Sequence, residues 1–535
     1  MKARDLVRRL GFEVPGLARP SGDSTPDSPR ASLDFEILGV TEDSREVKPG
    51  YLFCALPGAR ADGRNFIGDA AARGAAAVLL PAPSGGDPDF SPVPAGLPFF
   101  VPPPGREPRA AASEAARLAC GEPDEKLFVV GITGTNGKTT TASLAEALLK
   151  AAGMNPGVTG TIDYRWNGKI RPAPNTTPEG PLLYSILKEM VDDGVDAVAM
   201  EISSHALSLG RVEGLGVDRA IFTNLTRDHL DHHGDMESYF GAKTGLFMKH
   251  AKKTSLGKEN RVFAAVNADC PYGKRLLGLL GDRALGYGFE AGAVRLKEAS
   301  FSLAGTKLSV ETPKGIVRAE SKLIGGFNAR NLLAAISLGT LADLSPELVG
   351  KTLSLAEGAP GRFQRVGEGR DRAAIVDYAH SPGALEAVIG AARDLKPEKL
   401  AVLFGCGGDR DKGKRPLMGA AAAKADVAIL TSDNPRTEDP LVIIAEAERG
   451  LRENGSVPAK GAAALKNPSR EGSVYFVEPD RRKAIALGVD LLEAGDILLV
   501  CGKGHEDYQI VGTEKRRFDD AEETLKALED AGKAV

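Results

Sequence analysis

The sequence predicts an α/β protein of three domains: a small α/β unit, a central doubly wound and mostly parallel sheet with a P-loop, and a C-terminal Rossmann-like unit. Three observations carry this. At 535 residues the chain exceeds what one hydrophobic core organises. Apolar runs of strand length alternate with stretches of helical spacing, from about 126 to 358 and again from about 360, which is the rhythm of βα units. Finally, Val129-Val-Gly-Ile-Thr-Gly-Thr-Asn-Gly-Lys138-Thr-Thr-Thr141 passes from an apolar strand through a glycine-rich turn into a helix.

Residues 1–122 supply strands at Leu38–Arg45, Tyr51–Leu56 and Ala77–Leu80 and a helix at Phe66–Arg73. Pro81–Pro108, crowded with Pro and Gly, reads as a loop with a short strand near Phe99–Val101. In the middle unit, 126–358, strands are expected at Leu127–Val130, Ala197–Ile202, Arg219–Asn224 and Arg261–Asn267, and a helix at Thr140–Ala151. Ligands of such sheets sit beyond the C-terminal strand ends, where Glu201, Asn224 and Asn267 fall. Polar and apolar residues alternate over about 295–322, the pattern of an antiparallel insertion. The third unit, 360–535, has strands at Ala373–Asp377, Leu400–Phe404, Val427–Thr431 and Ile497–Cys501.

Charge and cysteine content exclude several classes. Lys+Arg 68 against Asp+Glu 72 leaves −4, with no long run of either sign, so bulk charge predicts no nucleic-acid or bilayer adhesion. Five scattered cysteines without a CxxC pair argue against a disulfide framework and a zinc site. No apolar run of about 18 residues and no signal-peptide core is present, so a cytoplasmic protein without membrane insertion is expected.

The turn before Lys138 reads as a phosphate cradle: backbone N–H groups face an anion, Lys138 reaches the β/γ-phosphates, and the Thr139 hydroxyl meets Mg²⁺. The full P-loop pattern would place Gly where Ile132 stands. Gly405-Cys-Gly-Gly-Asp409 does not make a dinucleotide loop, since it lacks the third Gly and an acidic ribose partner. Asn175-Thr-Thr-Pro178, Glu201-Ile-Ser-Ser-His205, Thr223-Asn-Leu-Thr-Arg-Asp-His229 and Gly241-Ala-Lys243-Thr-Gly-Leu-Phe247 are each weak alone, because a turn, backbone-satisfied histidines or a solvated helical lysine would explain them.

In this order behind the cradle, and followed by Asp377-Tyr-Ala-His380, Gly405-Cys-Gly-Gly-Asp-Arg410, Asp433-Asn-Pro-Arg436 and Gly502-Lys-Gly-His-Glu506, these motifs resemble the Mur ligase family over nearly the whole chain. Members are ATP-dependent amide-forming enzymes of peptidoglycan assembly, and a P-loop with Ile at that position is also the family's form. The resemblance implies that a substrate carboxylate takes the γ-phosphoryl group of ATP and that an amine then displaces phosphate. It implies ATP contacts from Gly134, Thr135, Asn136, Gly137, Lys138, Thr139, Thr140, Asn328, Arg362, Asp377, Tyr378 and His380. Catalytic roles fall to Lys138, Glu201, His229 and Lys243, with Mg²⁺ held by Thr139, Glu201, His229 and Lys243 converted by CO₂ to a carbamate.

The first unit is implied to hold the uridine diphosphate through Ser44, Ala59, Arg60 and Ala61. Asn175, Thr176, Thr177, Ser203 and Arg211 align with contacts to the muramoyl-dipeptide, and Leu209 replaces a polar residue of that set. The amino acid falls to Arg410, Asp433, Asn434, Pro435, Arg436, Gly502 and Glu506 of the third unit. The implied substrates are ATP, UDP-MurNAc-L-Ala-D-Glu and meso-diaminopimelate, handled by a monomer. A guanidinium fork suits the distal carboxylate of diaminopimelate, which makes Arg436 the candidate reader. The alternatives are a lysine-adding or D-Ala-D-Ala-adding ligase, a folylpolyglutamate synthetase, and a non-catalytic nucleotide-binding scaffold.

Overall fold

A computed structural model describes residues 1–15, 33–58, 61–82, 92–252, 262–367, 371–461, 463–466 and 473–533. By packing, the chain forms two compact units, residues 1–138 with 148–287 and residues 139–147 with 288–535.

In the first unit, strands Gly39–Thr41, Tyr51–Cys54, Ala77–Leu79 and Phe99–Phe100 pair in that order, all parallel. Leu52 and Cys54 feed one apolar cluster while Phe53 feeds another, so both faces are covered, as a parallel sheet requires. A helix at Ala3–Leu10, absent from the sequence reading, buries Ala3, Leu6 and Leu10. The larger sheet runs Ala284–Gly288, Ala264–Asn267, Arg219–Phe222, Phe128–Thr133, Ala197–Glu201 and Pro156–Thr159, parallel throughout. Two further strands, Asp163–Trp166 and Lys169–Pro172, extend its edge antiparallel. Leu52 and Leu79 of the small sheet share a core with Val129, Val198 and Met200 of the large one.

Register places the ends of the central strands together, because Ile132 pairs with Glu201 and Thr133 with Phe222. Thr133, Glu201 and Asn267 end their strands, and Asn224 lies two residues beyond Phe222, all at one edge as expected. The cradle helix spans Lys138–Ala151 and buries Ala142, Leu144, Ala145, Leu148 and Leu149.

In the second unit, the expected insertion is an antiparallel meander of Val294–Ser302, Gly305–Thr312 and Gly315–Ser321. The C-terminal sheet runs Gln364–Val366, Ala373–Asp377, Ile497–Cys501, Leu400–Phe404, Val427–Leu430, Val474–Val477 and Val457–Pro458, and only the first strand is antiparallel. Successive residues of its strands feed opposite cores: Ile375, Val402 and Leu499 pack on one side, and Val376, Leu403 and Val500 on the other. That alternation, with no polar face, is what a doubly wound sheet needs.

Candidate active site

The turn after Phe128–Thr133 is clamped from beside it. Thr135 N–H donates to the Asn224 carbonyl (2.9 Å), Asn136 N–H to Asn224 Oδ1 (3.0 Å), and Thr223 Oγ1 to the Asn136 carbonyl (2.6 Å). Gly134 has φ +152°, and a Cβ there would lie 1.9 Å from Thr223 Oγ1, so no side chain fits. Lys138 Nζ donates to the Gly134 and Thr135 carbonyls, both at 2.9 Å. Gly137, at φ +85°, starts the helix without a side-chain cap, the arrangement in which helix-terminal N–H groups suit an anion. Thr140 is buried and Thr139 half-buried.

Glu201 is 1% exposed. Its Oε1 accepts from Thr161 N–H (2.8 Å) and its Oε2 from the Thr161 hydroxyl (3.1 Å). Sequence reasoning missed Thr161, since one hydroxyl in a loop carries no spacing signal. Asn175, Thr176, Thr177, Ser203 and Arg211 do come together. Thr176 Oγ1 lies 3.1 Å from Thr161 Oγ1, Thr177 Oγ1 donates to the Glu201 carbonyl and accepts from Ser203 N–H, and Tyr164 OH donates to the Asn175 carbonyl. Arg211 donates to the Thr177 carbonyl and pairs with Glu179 at 2.7 Å. Leu209 ends the short Ser204–Ser208 helix.

Lys243 is a buried residue of the Met236–Lys249 helix, not the solvated charge its position suggests. Its Nζ donates to the Gly134 carbonyl at 2.8 Å and lies 4.8 Å from the Tyr239 ring centroid. Burial first, and then the Lys138 charge, push its amine well below the usual lysine range. His229, at φ +53°, has its ring 4.9 Å from that of His205. Burial lowers His229, and burial with the neighbouring His232 pushes His205 down to about 4.

Among the described residues no group of three or more His, Cys, Asp or Glu side chains converges as a metal cage. The Glu201 carboxylate is a donor that suits Mg²⁺, which takes one or two carboxylates and completes its shell with water and phosphate.

Ser44 opens a 3₁₀ turn capped by Asp43, whose carboxylate accepts from Arg45 N–H. With Ala61 it lines a cavity of about 590 Å³ that also presents Arg109 and Glu42. Burial, then Glu179, raises the Glu42 carboxyl to about 7. Ala59 and Arg60 lie outside the described residues.

In the second unit, Asp377 ends its strand and accepts from Phe363 N–H (2.7 Å) and Ala379 N–H (2.8 Å), and burial raises its carboxyl. The Arg362 guanidinium lies over Tyr378 at 5.0 Å, and the rings of His380 and His505 lie 4.5 and 4.9 Å from that of Tyr378. Asn328 is fully buried, donating to the Ile324 carbonyl and accepting from Asn331.

Asp433-Asn-Pro-Arg436 follows Val427–Leu430, and Gly502–Glu506 follows Ile497–Cys501, so both loops leave C-terminal strand ends. Arg436 Nη1 donates to the Gly408 carbonyl (2.7 Å), and Gly408 N–H donates to the Asn434 carbonyl, which draws the Arg410 loop into the cluster. A hairpin unseen in the sequence, Tyr508–Val511 with Glu514–Arg517, holds the turn: Arg436 N–H donates to the Ile510 carbonyl and Gly512 N–H to the Arg436 carbonyl. Asn434 Nδ2 donates to Glu506 Oε2 at 3.0 Å. In Gly502, at φ +121°, a Cβ would lie 2.8 Å from Asp433 Oδ2. Burial pushes Asp433 up, but Lys503 and then Arg481 outweigh it and hold the carboxyl below its usual range. Burial, with Asp433 beside it, raises Glu506.

Three family descriptions match successive segments: "Mur ligase family, catalytic domain" over residues 36–88, "Mur ligase middle domain" over 132–339, and "Mur ligase, glutamate ligase domain" over 361–504. A curated relative from Solibacter usitatus is 44% identical over 496 residues, 92% of this chain and 94% of its own. The chain belongs to the Mur ligase family. That relative, and one from Geobacter sulfurreducens at 43% identity covering 94% of this chain and 96% of its own, are named UDP-N-acetylmuramoyl-L-alanyl-D-glutamate--2,6-diaminopimelate ligase. A solved structure of the same name matches this Mur ligase with TM-score 0.65 and 30% identity, over 95% of this chain and 98% of its own. A Mycobacterium tuberculosis folylpolyglutamate synthase shares the fold at TM-score 0.54 and 17% identity, over 74% of this Mur ligase and 92% of its own chain.

Proposed function

We infer that this Mur ligase joins meso-diaminopimelate to the D-Glu side-chain carboxylate of UDP-MurNAc-L-Ala-D-Glu with hydrolysis of ATP to ADP and phosphate, a step of peptidoglycan precursor synthesis. One observation carries the reading: the Asp433–Arg436 turn and the Gly502–Glu506 loop interlock through Asn434 and Glu506 in a chain whose relatives bear that name.

The carboxylate oxygen attacks the γ-phosphorus of ATP, the bond to the β,γ-bridging oxygen breaks, and ADP leaves. The diaminopimelate amine then attacks the acyl carbon of the acyl phosphate, phosphate leaves, and the amine loses a proton. Such a transfer needs charge neutralisation and alignment more than covalent help. The cradle N–H groups and Lys138 bind the phosphates. Asn328, Arg362, Asp377, Tyr378 and His380 complete ATP binding, and Asn175, Thr176, Thr177, Ser203 and Arg211 align the muramoyl-dipeptide, whose carboxylate accepts the phosphoryl group and then donates the acyl group. Thr139, Glu201, His229 and Lys243 as a carbamate would hold Mg²⁺, which when bound neutralises phosphoryl charge. Burial shifts the Lys243 amine toward the deprotonated form that adds CO₂; the nitrogen then loses a proton and the product is an anion.

Residues 1–122 form the uridine-diphosphate domain of this reading, with Ser44 and the 59–61 segment as its contacts; 126–358 form the ATP domain and 360–535 the amino-acid domain, in a cytoplasmic monomer. No helix among the described residues is long and apolar enough to cross a membrane. Phosphate release with ATP, UDP-MurNAc-L-Ala-D-Glu and single amino acids tests the reading. Turnover is expected with meso-diaminopimelate; turnover with L-lysine or D-Ala-D-Ala in its place overturns it.

A further inference from the structure

Lys503 stands between two glycines in an irregular loop, where a lysine is ordinarily solvated, yet its side chain is fully buried. Burying an ammonium is costly unless every proton finds a partner. Its Nζ donates to the Asn434 carboxamide oxygen (3.1 Å) and to the Tyr508 carbonyl (2.7 Å), and it pairs with Asp433 Oδ1 at 3.2 Å. Glu506 Oε2 lies 4.0 Å away.

These partners fix which way the Asn434 amide faces. Its Oδ1 accepts from two donors, Lys503 Nζ and Ile510 N–H (2.8 Å), so its Nδ2 is directed to Glu506 Oε2. Without the Lys503 ammonium, Oδ1 would keep only Ile510, and two carboxylates, Asp433 and Glu506, would face each other with less compensating charge. Arg481, the other cation near Asp433, is held by Asp520 in a bidentate pair and by the Cys501 carbonyl.

We propose that Lys503 is a positioning residue that orients Asn434 and places Glu506 for the incoming amino acid. This rests on the assignment of the Asp433–Arg436 and Gly502–Glu506 loops as the amino-acid site. Its signature is a selective effect: amino-acid binding suffers, while the ATP and UDP-substrate sites, built from other residues, do not. The acid limb of the rate profile also carries it. Glu506 faces Asp433, Lys503, Arg436, Tyr378 and Tyr508, and of these Lys503 is the nearest cation acting to keep it ionised. Removing that charge moves the limb to higher pH.

The experiment uses the full chain and measures kcat and each KM for wild type, Lys503→Met, Lys503→Arg and Lys503→Gln. Lys503→Met is expected to raise the amino-acid KM by about tenfold to a hundredfold, as loss of one charge-assisted contact would. The other two KM values should stay within about twofold. Lys503→Arg should recover part of the loss. Lys503→Met combined with Asn434→Ala should lose less than the two single losses together, because the two side chains share one hydrogen-bonded unit. If the methionine variant does not fold, Lys503→Gln decides by the same split. Equal effects on all three KM values, an unchanged amino-acid KM, or additive losses in the double variant would overturn the proposal. The wild type's amino acid is fixed first with the panel. If it is not meso-diaminopimelate the functional reading fails, and the KM split for the amino acid actually used still decides the role of Lys503.

Discussion

Arg436 combines a left-handed backbone, φ +52°, with a guanidinium anchored on the Gly408 carbonyl. Strain of this kind persists only where surrounding contacts enforce it, and the hairpin hydrogen bonds on both sides of Arg436 do so. An L-lysine side chain lacks the carboxylate that would pair with the fork, and leaving such a cation unpaired costs roughly a thousandfold in discrimination. Arg436→Ala should therefore collapse the ratio of kcat/KM for meso-diaminopimelate over L-lysine; an unchanged ratio would show that Arg436 does not read the distal group. Lys243→Ala should lose activity by about a hundredfold or more. Short carboxylates added to that variant should restore part of it by standing in for the carbamate, and full activity without additive would refute the modification. At this scale the sequence showed Lys243 and Arg436 only through the motifs around them. It hid Lys503 and Thr161, because a lysine in a glycine-rich loop and a lone threonine look solvated until the packing is known.

Strands with two buried faces were legible as elements: Ala373–Asp377, Leu400–Phe404 and Ile497–Cys501 match their expected spans, since continuous apolar runs between turns leave little choice. The edge strands Asp163–Trp166 and Lys169–Pro172 and the hairpin Tyr508–Val511 with Glu514–Arg517 were not. Lys169–Pro172 is mostly exposed and Glu514–Arg517 wholly so, and in Asp163–Trp166 two buried aromatics, Tyr164 and Trp166, make an alternation too short to read as a strand, so backbone pairing is what defines these elements. Between elements, Arg415 at the start of the Lys414–Ala422 helix is fully buried and pairs with Glu438 (2.8 Å) and Glu446 (2.7 Å), while donating to the Gly407 carbonyl. Arg415, and then the Asp409 N–H, hold Glu438 down to about 2 from 4.5. A depressed carboxyl adds stability above its unfolded value and loses it as pH falls through the folded one. Stability should thus decline between pH 4.5 and 2, and Glu438→Gln should flatten that part of a plot of thermal midpoint against pH. An identical slope in the variant would remove Glu438 from the acid response.

Over the whole molecule, the alternation of strands and helices carried the fold class, whereas packing joins the first small sheet to the central one in a shared core that no linker composition announces. The five cysteines are free: Cys54, Cys270, Cys406 and Cys501 are buried and Cys120 half-buried. Burial raises Cys120 to about 11 and Cys406 to about 12. A chromogenic disulfide reagent at neutral pH should accordingly react slowly with the native protein, at Cys120 first, and with five thiols once it is unfolded; rapid labelling of several native thiols would contradict the packing. The central claim is the choice of amino acid. It is tested most directly by incubating the enzyme with ATP, UDP-MurNAc-L-Ala-D-Glu and an equimolar mixture of meso-diaminopimelate, L-lysine and D-Ala-D-Ala, and weighing the nucleotide product by mass spectrometry. The diaminopimelate adduct should form in large excess, and a product dominated by lysine or D-Ala-D-Ala would contradict that choice.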